Sequence, residues 1–400
     1  MRDGQAQKVT GTFISKIRDF GEVAERQHTT YGSAFVRAII EKNGLYASPE
    51  TGVTYQIPTH FGFCYGVEKS IDMAFETRKR FPEKRMYLTH DVIHNPKVNE
   101  DLKEKGVTVL ERDERDDLIL NPVRPEDVVV ISAFGTRFQD VEALKRKGCI
   151  VVDTTCGAIV LVWKRVEKYA TNGFTTIIHG VWDHEETRAT ASQAIRFGGH
   201  FLVIRNMADT RRIAQFLKKE MDPDAFMTLF HDRVSPGFDP VRDLGRIGVA
   251  SQTTMLKNET VEIQEYLKRI YKEVFGEERF NDVFMIYDTI CSATQERQDA
   301  LYELLATRHD LMLIIGGFNS SNTTHLSEIA SERYPTYHIR GPQDLLSPSE
   351  IRHLDPLTLE VKHTADWIPS PLKHVGITTG ASTPDLMIEN VIRRVDSLIK

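Results

Sequence analysis

His60-Phe61-Gly62-Phe63-Cys64-Tyr65-Gly66-Val67 sets a cysteine between two glycines, after an extended aromatic approach and ahead of an amphipathic run. In that run Val67, Ile71, Ala74, Phe75 and Arg78 share one stripe, the spacing of a helix that faces a core. Cys64 is therefore expected at a strand-to-helix turn, where Gly62 and Gly66 permit tight backbone geometry. The positive end of the following helix favours a thiolate there, and with it metal binding. Taken alone, one such cysteine reads better as a small buried residue in a turn.

The arrangement occurs twice more. Asp153-Thr154-Thr155-Cys156-Gly157 closes the apolar run Cys149-Ile150-Val151-Val152 and opens a helix with Ile159, Val162, Trp163, Val166 and Ala170 on one face. Asp288-Thr289-Ile290-Cys291-Ser292 closes Phe284-Met285-Ile286-Tyr287 and opens a helix carrying Arg297, Ala300, Leu301, Leu304 and Leu305. At a similar distance after each cysteine the next strand ends, at His90, Gly180 and Gly316. Each copy then offers a further apolar strand with a small polar exit: Val128–Ser132, Ile247–Ser251 and Val375–Thr379. The pattern predicts an α/β protein of three pseudo-symmetric α/β units packed with their three sulfurs converging on one axis, an arrangement open to a central iron–sulfur cluster.

The chemistry follows from the repeat. Ligands of α/β sheets bind outside the carboxyl ends of the strands, where all three sulfurs are expected. Three thiolates on one axis suit a cubane cluster whose fourth iron has no protein ligand, or a closed three-iron cluster. A structural zinc site fits less well, because it needs four ligands and usually close pairs such as C-x-x-C.

Composition bounds the remaining classes. The 400 residues are 40% hydrophobic and 27% charged, ordinary for a globular chain of two or three domains, or of three small ones around one centre. A net charge of −6 argues against nucleic acid as a partner. No apolar run approaches a membrane span. Four cysteines in a chain this long, none closely spaced as pairs, point to a reducing compartment, the cytoplasm ahead of a plastid stroma, because the start of the chain carries too many acids for a transit peptide.

Residues 1–58 read as an N-terminal extension, with Phe13, Ile17 and Phe20 at helical spacing and Ala34, Ala38 and Ile39 in a second short helix. The three units are expected over 59–150, 151–280 and 281–400. Insertions are expected at about 222–243, read as a surface loop, and at about 343–370. In the first unit His94 lies at a strand exit, as a core or capping histidine or as an anion donor. The charge run 111–117 reads as a solvated face.

In the second unit His179 through Thr187 gathers two histidines and three acids at a strand end. The histidines flank a turn instead of sharing a helix face, so a metal site and a proton-delivering acid are equal readings. In the third unit Gly316-Gly317 precedes Asn319-Ser320-Ser321-Asn322-Thr323-Thr324, a cradle for phosphate without lysine; an ordinary N-cap would need one such residue. Thr379-Gly380-Ala381-Ser382-Thr383-Pro384-Asp385 repeats the pattern.

These stretches, with Gly62–Val67, Val92-Ile93-His94-Asn95, Asp153–Cys156, His184-Glu185-Glu186-Thr187, Ser251-Gln252-Thr253-Thr254 and Cys291, resemble the LytB family of 4-hydroxy-3-methylbut-2-enyl diphosphate reductases. They occur in the family's order over about 60 to 390. Phe134 and the His-Glu-Glu-Thr run resemble its plant and cyanobacterial branch; many bacterial members carry histidine at the position of Phe134, so one diphosphate donor is absent here.

The resemblance implies a 4Fe–4S cluster with an open apical iron held by Cys64, Cys156 and Cys291. It implies Glu186 as proton source and Thr253 as the residue orienting the substrate hydroxyl. His94, His184, Ser320, Ser321, Asn322 and Ser382 are implied as diphosphate ligands. Isopentenyl and dimethylallyl diphosphate are the implied products, closing the non-mevalonate isoprenoid pathway, with ferredoxin or flavodoxin as electron donor. Two other readings use the same cysteines: an iron–sulfur hydro-lyase, which needs no reductant, and a redox sensor, which needs no phosphate cradle.

Overall fold

The computed structural model describes residues 12–14 and 30–400. The contacts divide the described residues into two compact bodies. One comprises residues 12–14, Thr77–Val92 and Lys103–Cys291 and holds Cys156 and Cys291; the other comprises residues 30–76, Ile93–Leu102 and Ser292–Lys400 and holds Cys64.

The Cys156–Cys291 body is built on two parallel sheets. The first runs in the order Phe13–Ile14, Ile150–Asp153, Val128–Ile131, Met86–Leu88 and Val107–Val109. Val128–Ile131 is buried along its whole length, as a central parallel strand covered on both faces must be. The second sheet runs Phe284–Ile286, Ile247–Ser251, Thr175–His179 and Phe201–Ile204, with Ile247 opposite Thr175 and Ser251 opposite His179. Its core packs Ile177, Leu202, Val249, Leu267 and Tyr271.

The Cys64 body carries an eight-stranded mixed sheet. Leu311–Ile315 is flanked in parallel by Thr336–Ile339 and His374–Thr379, and Thr54–Gln56 continues beside the latter. The expected insertion at 343–370 adds three antiparallel strands at the far edge. Asp344 fixes their start: it is fully buried and takes Arg340 at 2.9 Å and, closely, Arg352. That pairing holds its carboxyl below the usual carboxylate range although burial alone would raise it.

The strand before each cysteine pairs in a different sheet from the strand after it. Thr54–Gln56 lies in the mixed sheet, but Met86–Leu88 in the first parallel sheet. Ile150–Asp153 lies in the first and Thr175–His179 in the second; Phe284–Ile286 lies in the second and Leu311–Ile315 in the mixed sheet. Every cysteine turn is thus a point where the chain leaves one sheet for the next.

Three local expectations are corrected. Phe13 is in a strand, not a helix, because Thr12–Ile14 adds to the open edge of Ile150–Asp153, with Val151 N donating to Thr12 O at 2.8 Å; Ile17 and Phe20 lie outside the described residues. The stretch 222–243 is not a loop. Asp222 caps the helix Pro223–Phe230, whose Phe226 and Phe230 are fully buried with Phe238 beside them. The charge run 111–117 is only partly a solvated face. Arg112 turns inward and donates to His90 Nε2 and Asp140 Oδ2, both at 3.0 Å. The second short helix forms as expected over Ala34–Ile40, with Ser33 Oγ accepting from Val36 N.

Candidate active site

The cysteine turns share one hydrogen-bond pattern, which the Asp-Thr-x-Cys motif explains at Cys156 and Cys291. Asp153 Oδ1 accepts from Thr155 N at 3.0 Å, and Asp288 Oδ1 accepts from Ile290 N at 3.2 Å, an Asx turn in each case. The threonine ties the turn to the end of the neighbouring strand. Thr154 Oγ1 donates to Ile131 O, and Thr289 Oγ1 accepts from Ser251 N. In the Cys64 body the equivalent tie is Gly62 N donating to Thr379 Oγ1 at 2.7 Å. Gly62 has φ +70°, and a side chain there would strike Asp385, so only glycine serves.

Two residues further on, each cysteine N–H reaches a carbonyl two residues past that strand end. Cys156 N donates to Ala133 O at 2.9 Å, Cys291 N to Thr253 O at 3.4 Å and Cys64 N to Ala381 O at 3.1 Å. The three residues directly precede the helices Gly157–Thr171, Ser292–Leu305 and Tyr65–Arg80. All three cysteines stand outside any disulfide and are partly exposed. Cys149 differs. It is fully buried beside Leu144 and Val151, and burial pushes its thiol up to about 11.

Around Cys291 the Cys156–Cys291 body forms a carboxyl corner. His184 caps the helix Glu185–Arg196, its Nδ1 accepting from Glu186 N at 3.1 Å. Burial lowers the pKa of His184 although Glu185 and Asp183 oppose this, so the ring is neutral at pH 7 with its proton on Nε2. The Phe134 ring meets it edge-on, with centroids 5.6 Å apart and planes at 85°. Glu186 is 1% exposed. Its Oε1 accepts from Thr253 N at 2.6 Å and its Oε2 from Thr253 Oγ1 at 3.0 Å. Desolvation outweighs both hydrogen bonds and pushes the carboxyl up to about 7. Gln252 holds the turn before it, its Oε1 accepting from Val181 N and Thr187 Oγ1.

The Cys64 body forms a neutral cradle. Ser320 caps the helix Ser321–Ser331, and its Oγ accepts from Thr323 N at 3.4 Å and Thr323 Oγ1 at 3.0 Å. With both lone pairs engaged, its own proton points elsewhere. Asn322 Oδ1 accepts from Ala381 N at 2.9 Å, while its buried Nδ2 has no partner. An orphaned buried amide donor calls for an acceptor. Ser382 Oγ donates to His94 O at 3.3 Å, and Asn319 Nδ2 donates to His94 Nδ1 at 3.0 Å, leaving the His94 proton on Nε2. Gly317 lets the loop close: a Cβ there would sit 2.7 Å from His94 O. Ser321 is partly exposed at the first helical position.

The sequence-predicted residues are divided between the bodies: Cys156, Cys291, His184, Glu186 and Thr253 belong to one, Cys64, His94, Ser320, Ser321, Asn322 and Ser382 to the other. His179 is excluded from the site. It is fully buried, with Nδ1 on Thr260 Oγ1 and Nε2 on Arg205 O, a core histidine at the end of its strand. Sequence reasoning missed Arg297, whose Nη2 donates to Phe61 O and Gly62 O at 3.2 and 2.8 Å and so fixes the approach to Cys64. The available signal was an arginine on an otherwise apolar helix stripe.

With this geometry in place, comparison with known proteins is specific. A family model described as LytB protein matches residues 56–396. A 4-hydroxy-3-methylbut-2-enyl diphosphate reductase of a Picosynechococcus species is 43% identical over 375 residues, covering 94% of this chain and 91% of that relative. The reductase of the same name from Gloeobacter violaceus is 42% identical over 381 residues, covering 94% and 90%. Among solved structures, an (E)-4-hydroxy-3-methyl-but-2-enyl diphosphate reductase, the terminal enzyme of the non-mevalonate pathway, aligns with a TM-score of 0.50 at 28% identity over 85% of this chain and 98% of that one. An E-1-hydroxy-2-methyl-but-2-enyl-4-diphosphate reductase from Plasmodium falciparum shares the fold, with a TM-score of 0.62 at 22% identity over 85% and 86%.

Proposed function

This chain belongs to the LytB family, and from that membership we infer that it reduces 4-hydroxy-3-methylbut-2-enyl diphosphate to isopentenyl and dimethylallyl diphosphate. The reaction breaks the allylic C–O bond, releases the oxygen as water and consumes two electrons and two protons. The observation that carries the reading is the recurrence of one backbone hydrogen bond at three partly exposed cysteines, each directly before a helix. Three sulfur donors at helix starts fit a cluster with three protein ligands, and Cys64, Cys156 and Cys291 would hold it. A 4Fe–4S cluster so held supplies an electron relay and a Lewis-acidic iron.

The residues of the chain do the rest. Glu186 holds a proton near neutral pH. Because Thr253 N–H must keep Oε1 as its acceptor, that proton belongs on Oε2, facing Thr253 Oγ1. The threonine hydroxyl then accepts from the acid and donates onward to the departing substrate oxygen. Ser320 Oγ, Asn322 Nδ2 and the Nε2–H groups of His94 and His184 are neutral donors for the diphosphate, with Ser321 and Ser382 completing the set. Charge-assisted hydrogen bonds of about 1.5–3 kcal/mol each hold such an anion without lysine or arginine. No flavin or nicotinamide fingerprint occurs in the sequence, so electrons come from an outside carrier such as ferredoxin or flavodoxin.

Anaerobic assay of the iron- and sulfide-loaded protein with the diphosphate and reduced viologen tests the reading. Turnover that depends on reductant is expected. Water elimination without reductant would point to the hydro-lyase, and substrate binding no better than background to the sensor.

A further inference from the structure

The helix Gly157–Thr171 begins directly after Cys156, and its outer face carries Leu161, Lys164, Arg165 and Lys168. Spacings of three and four residues put them on one stripe of the helix. Leu161 is 58% exposed, unusual for a leucine beside a cluster of cations. The stripe is joined to the second cysteine of this body. Tyr287, four residues before Cys291, lies under Arg165 and Lys168, with 4.4 and 5.0 Å from cation to ring centroid, and its hydroxyl accepts from Lys168 Nζ at 2.5 Å. Tyr169 stacks behind it at 5.8 Å. Glu167 on the helix and Asp288 beyond Tyr287 are the nearby exposed acids in sequence, but neither takes one of these cations in a salt bridge here. A basic and apolar face thus stands out on a chain of net charge −6, on the helix that follows Cys156 and against a tyrosine four residues before Cys291 in sequence.

We propose that Leu161, Lys164, Arg165, Lys168 and Tyr287 form the docking surface for a small acidic one-electron carrier protein. The inference rests on the reductase reading, since only a reductase needs repeated delivery of electrons. Two encounters serve each substrate molecule: two carriers are oxidised by one electron each, and the C–O bond is reduced. Opposite charge steers such encounters and keeps them brief, and the exposed leucine with the half-buried tyrosine supplies the small apolar centre typical of transient interfaces.

The test combines binding with turnover in the cluster-loaded full chain. Calorimetry with oxidised plant-type ferredoxin, an acidic carrier, is expected to show binding that weakens steeply with salt. The variant Lys164→Glu/Arg165→Glu/Lys168→Glu should weaken it at least tenfold and flatten the salt dependence. Ferredoxin-driven turnover should fall in parallel, while turnover with reduced viologen stays within twofold. Should the triple variant melt early, Lys164→Glu alone leaves the Tyr287 contacts intact and is expected to weaken binding about threefold. Unchanged ferredoxin affinity in a folded variant overturns the proposal. Absence of viologen-driven turnover in the parent protein overturns instead the reductase reading on which it stands.

Discussion

The carboxyl corner of the Cys156–Cys291 body and the neutral cradle of the Cys64 body hang from cysteine turns of the same geometry but are chemically opposite. In the corner, a 1% exposed glutamate is pinned by one threonine and desolvated until it titrates near neutrality. In the cradle, Ser320, Asn322 and Ser382 cannot ionise, and His94 is held as a neutral donor. The contrast teaches how the work is divided. On the reading proposed above, a diphosphate undergoes no bond change in the reaction, so fixed neutral dipoles suffice to hold it. A proton must move, so its carrier needs a pKa near the working pH.

Loss of the cysteines would break this comparison most completely. If the three turns are equivalent despite their different surroundings, Cys64→Ser, Cys156→Ser and Cys291→Ser should each abolish cluster assembly, whereas Cys149→Ser should retain it. Iron and sulfide analysis of the four proteins decides the matter. A cluster lost in Cys149→Ser yet kept in one of the other three would end the equivalence.

Glu186→Gln comes next and sharpens the corner. Glutamine can keep both Thr253 contacts but carries no transferable proton, so turnover should fall by a factor of about 100 or more with substrate affinity retained. In the parent, the protonated acid is the active form, so turnover should decline as pH rises above about 7. Stability gives an independent reading. The folded-state pKa is raised, from near 4.5 to about 7, so the favourable contribution is whole below pH 4.5 and is lost as pH climbs to 7. At pH 8 the buried charge costs about 3 kcal/mol, taking 1.36 kcal/mol per pH unit. Glu186→Gln should therefore melt above the parent at pH 8, with the gap closing towards pH 5. A melting temperature below the parent at every pH, with turnover per cluster unchanged, would make Glu186 a structural residue.

On the cradle side the effects are smaller and sit in binding. Asn322→Ala and Ser320→Ala should each weaken inorganic diphosphate by about 1–3 kcal/mol in calorimetry, with turnover at saturation little changed. Asn322 should cost more, because its Oδ1 also holds Ala381 N, and Ala381 O receives the N–H of Cys64. Equal affinity in both variants and the parent would move the anion site elsewhere.

The sequence made the turns legible because their signals are local. An aspartate that accepts two residues on and a threonine that ties to a strand end leave a fixed spacing. The helix at Ala34–Ile40, the strands before Cys156 and Cys291 and the strands after each cysteine followed from apolar periodicity, whereas the strand before Cys64 is Thr54–Gln56, short of the extended approach read at His60–Phe63. Sheet membership was not legible, since a strand such as Ile150–Asp153 reads the same whichever edge it joins. The expected loop at 222–243 hid a helix because prolines and acids that look like turn residues are its caps, while Phe226 and Phe230 form its buried face. The family resemblance implied Glu186 as proton source, but what raises its pKa, burial against two opposing Thr253 hydrogen bonds, is visible only in the structure. Arg297 was visible only as a misfit on an apolar stripe.

The smallest expected effect lies within the corner, at Phe134. Its ring edge packs against His184, the one cradle-like neutral donor in the carboxyl corner. An aromatic pair of this geometry is worth about 0.5–1.5 kcal/mol beyond its buried area. Phe134 cannot itself donate to an anion, so any influence on diphosphate must pass through the orientation of the His184 ring. Phe134→Leu should therefore raise the KM for substrate by about two- to tenfold. The turnover rate and its pH midpoint, both set by Glu186, should stay where they are. The decisive measurement is the double variant with His184→Ala. If Phe134 acts by positioning the histidine, removing the histidine first leaves Phe134→Leu with almost nothing to do, and the two losses are strongly non-additive. Fully additive losses would mean that Phe134 shapes the corner independently of His184, and a shifted pH midpoint would mean that it sets the environment of Glu186 instead.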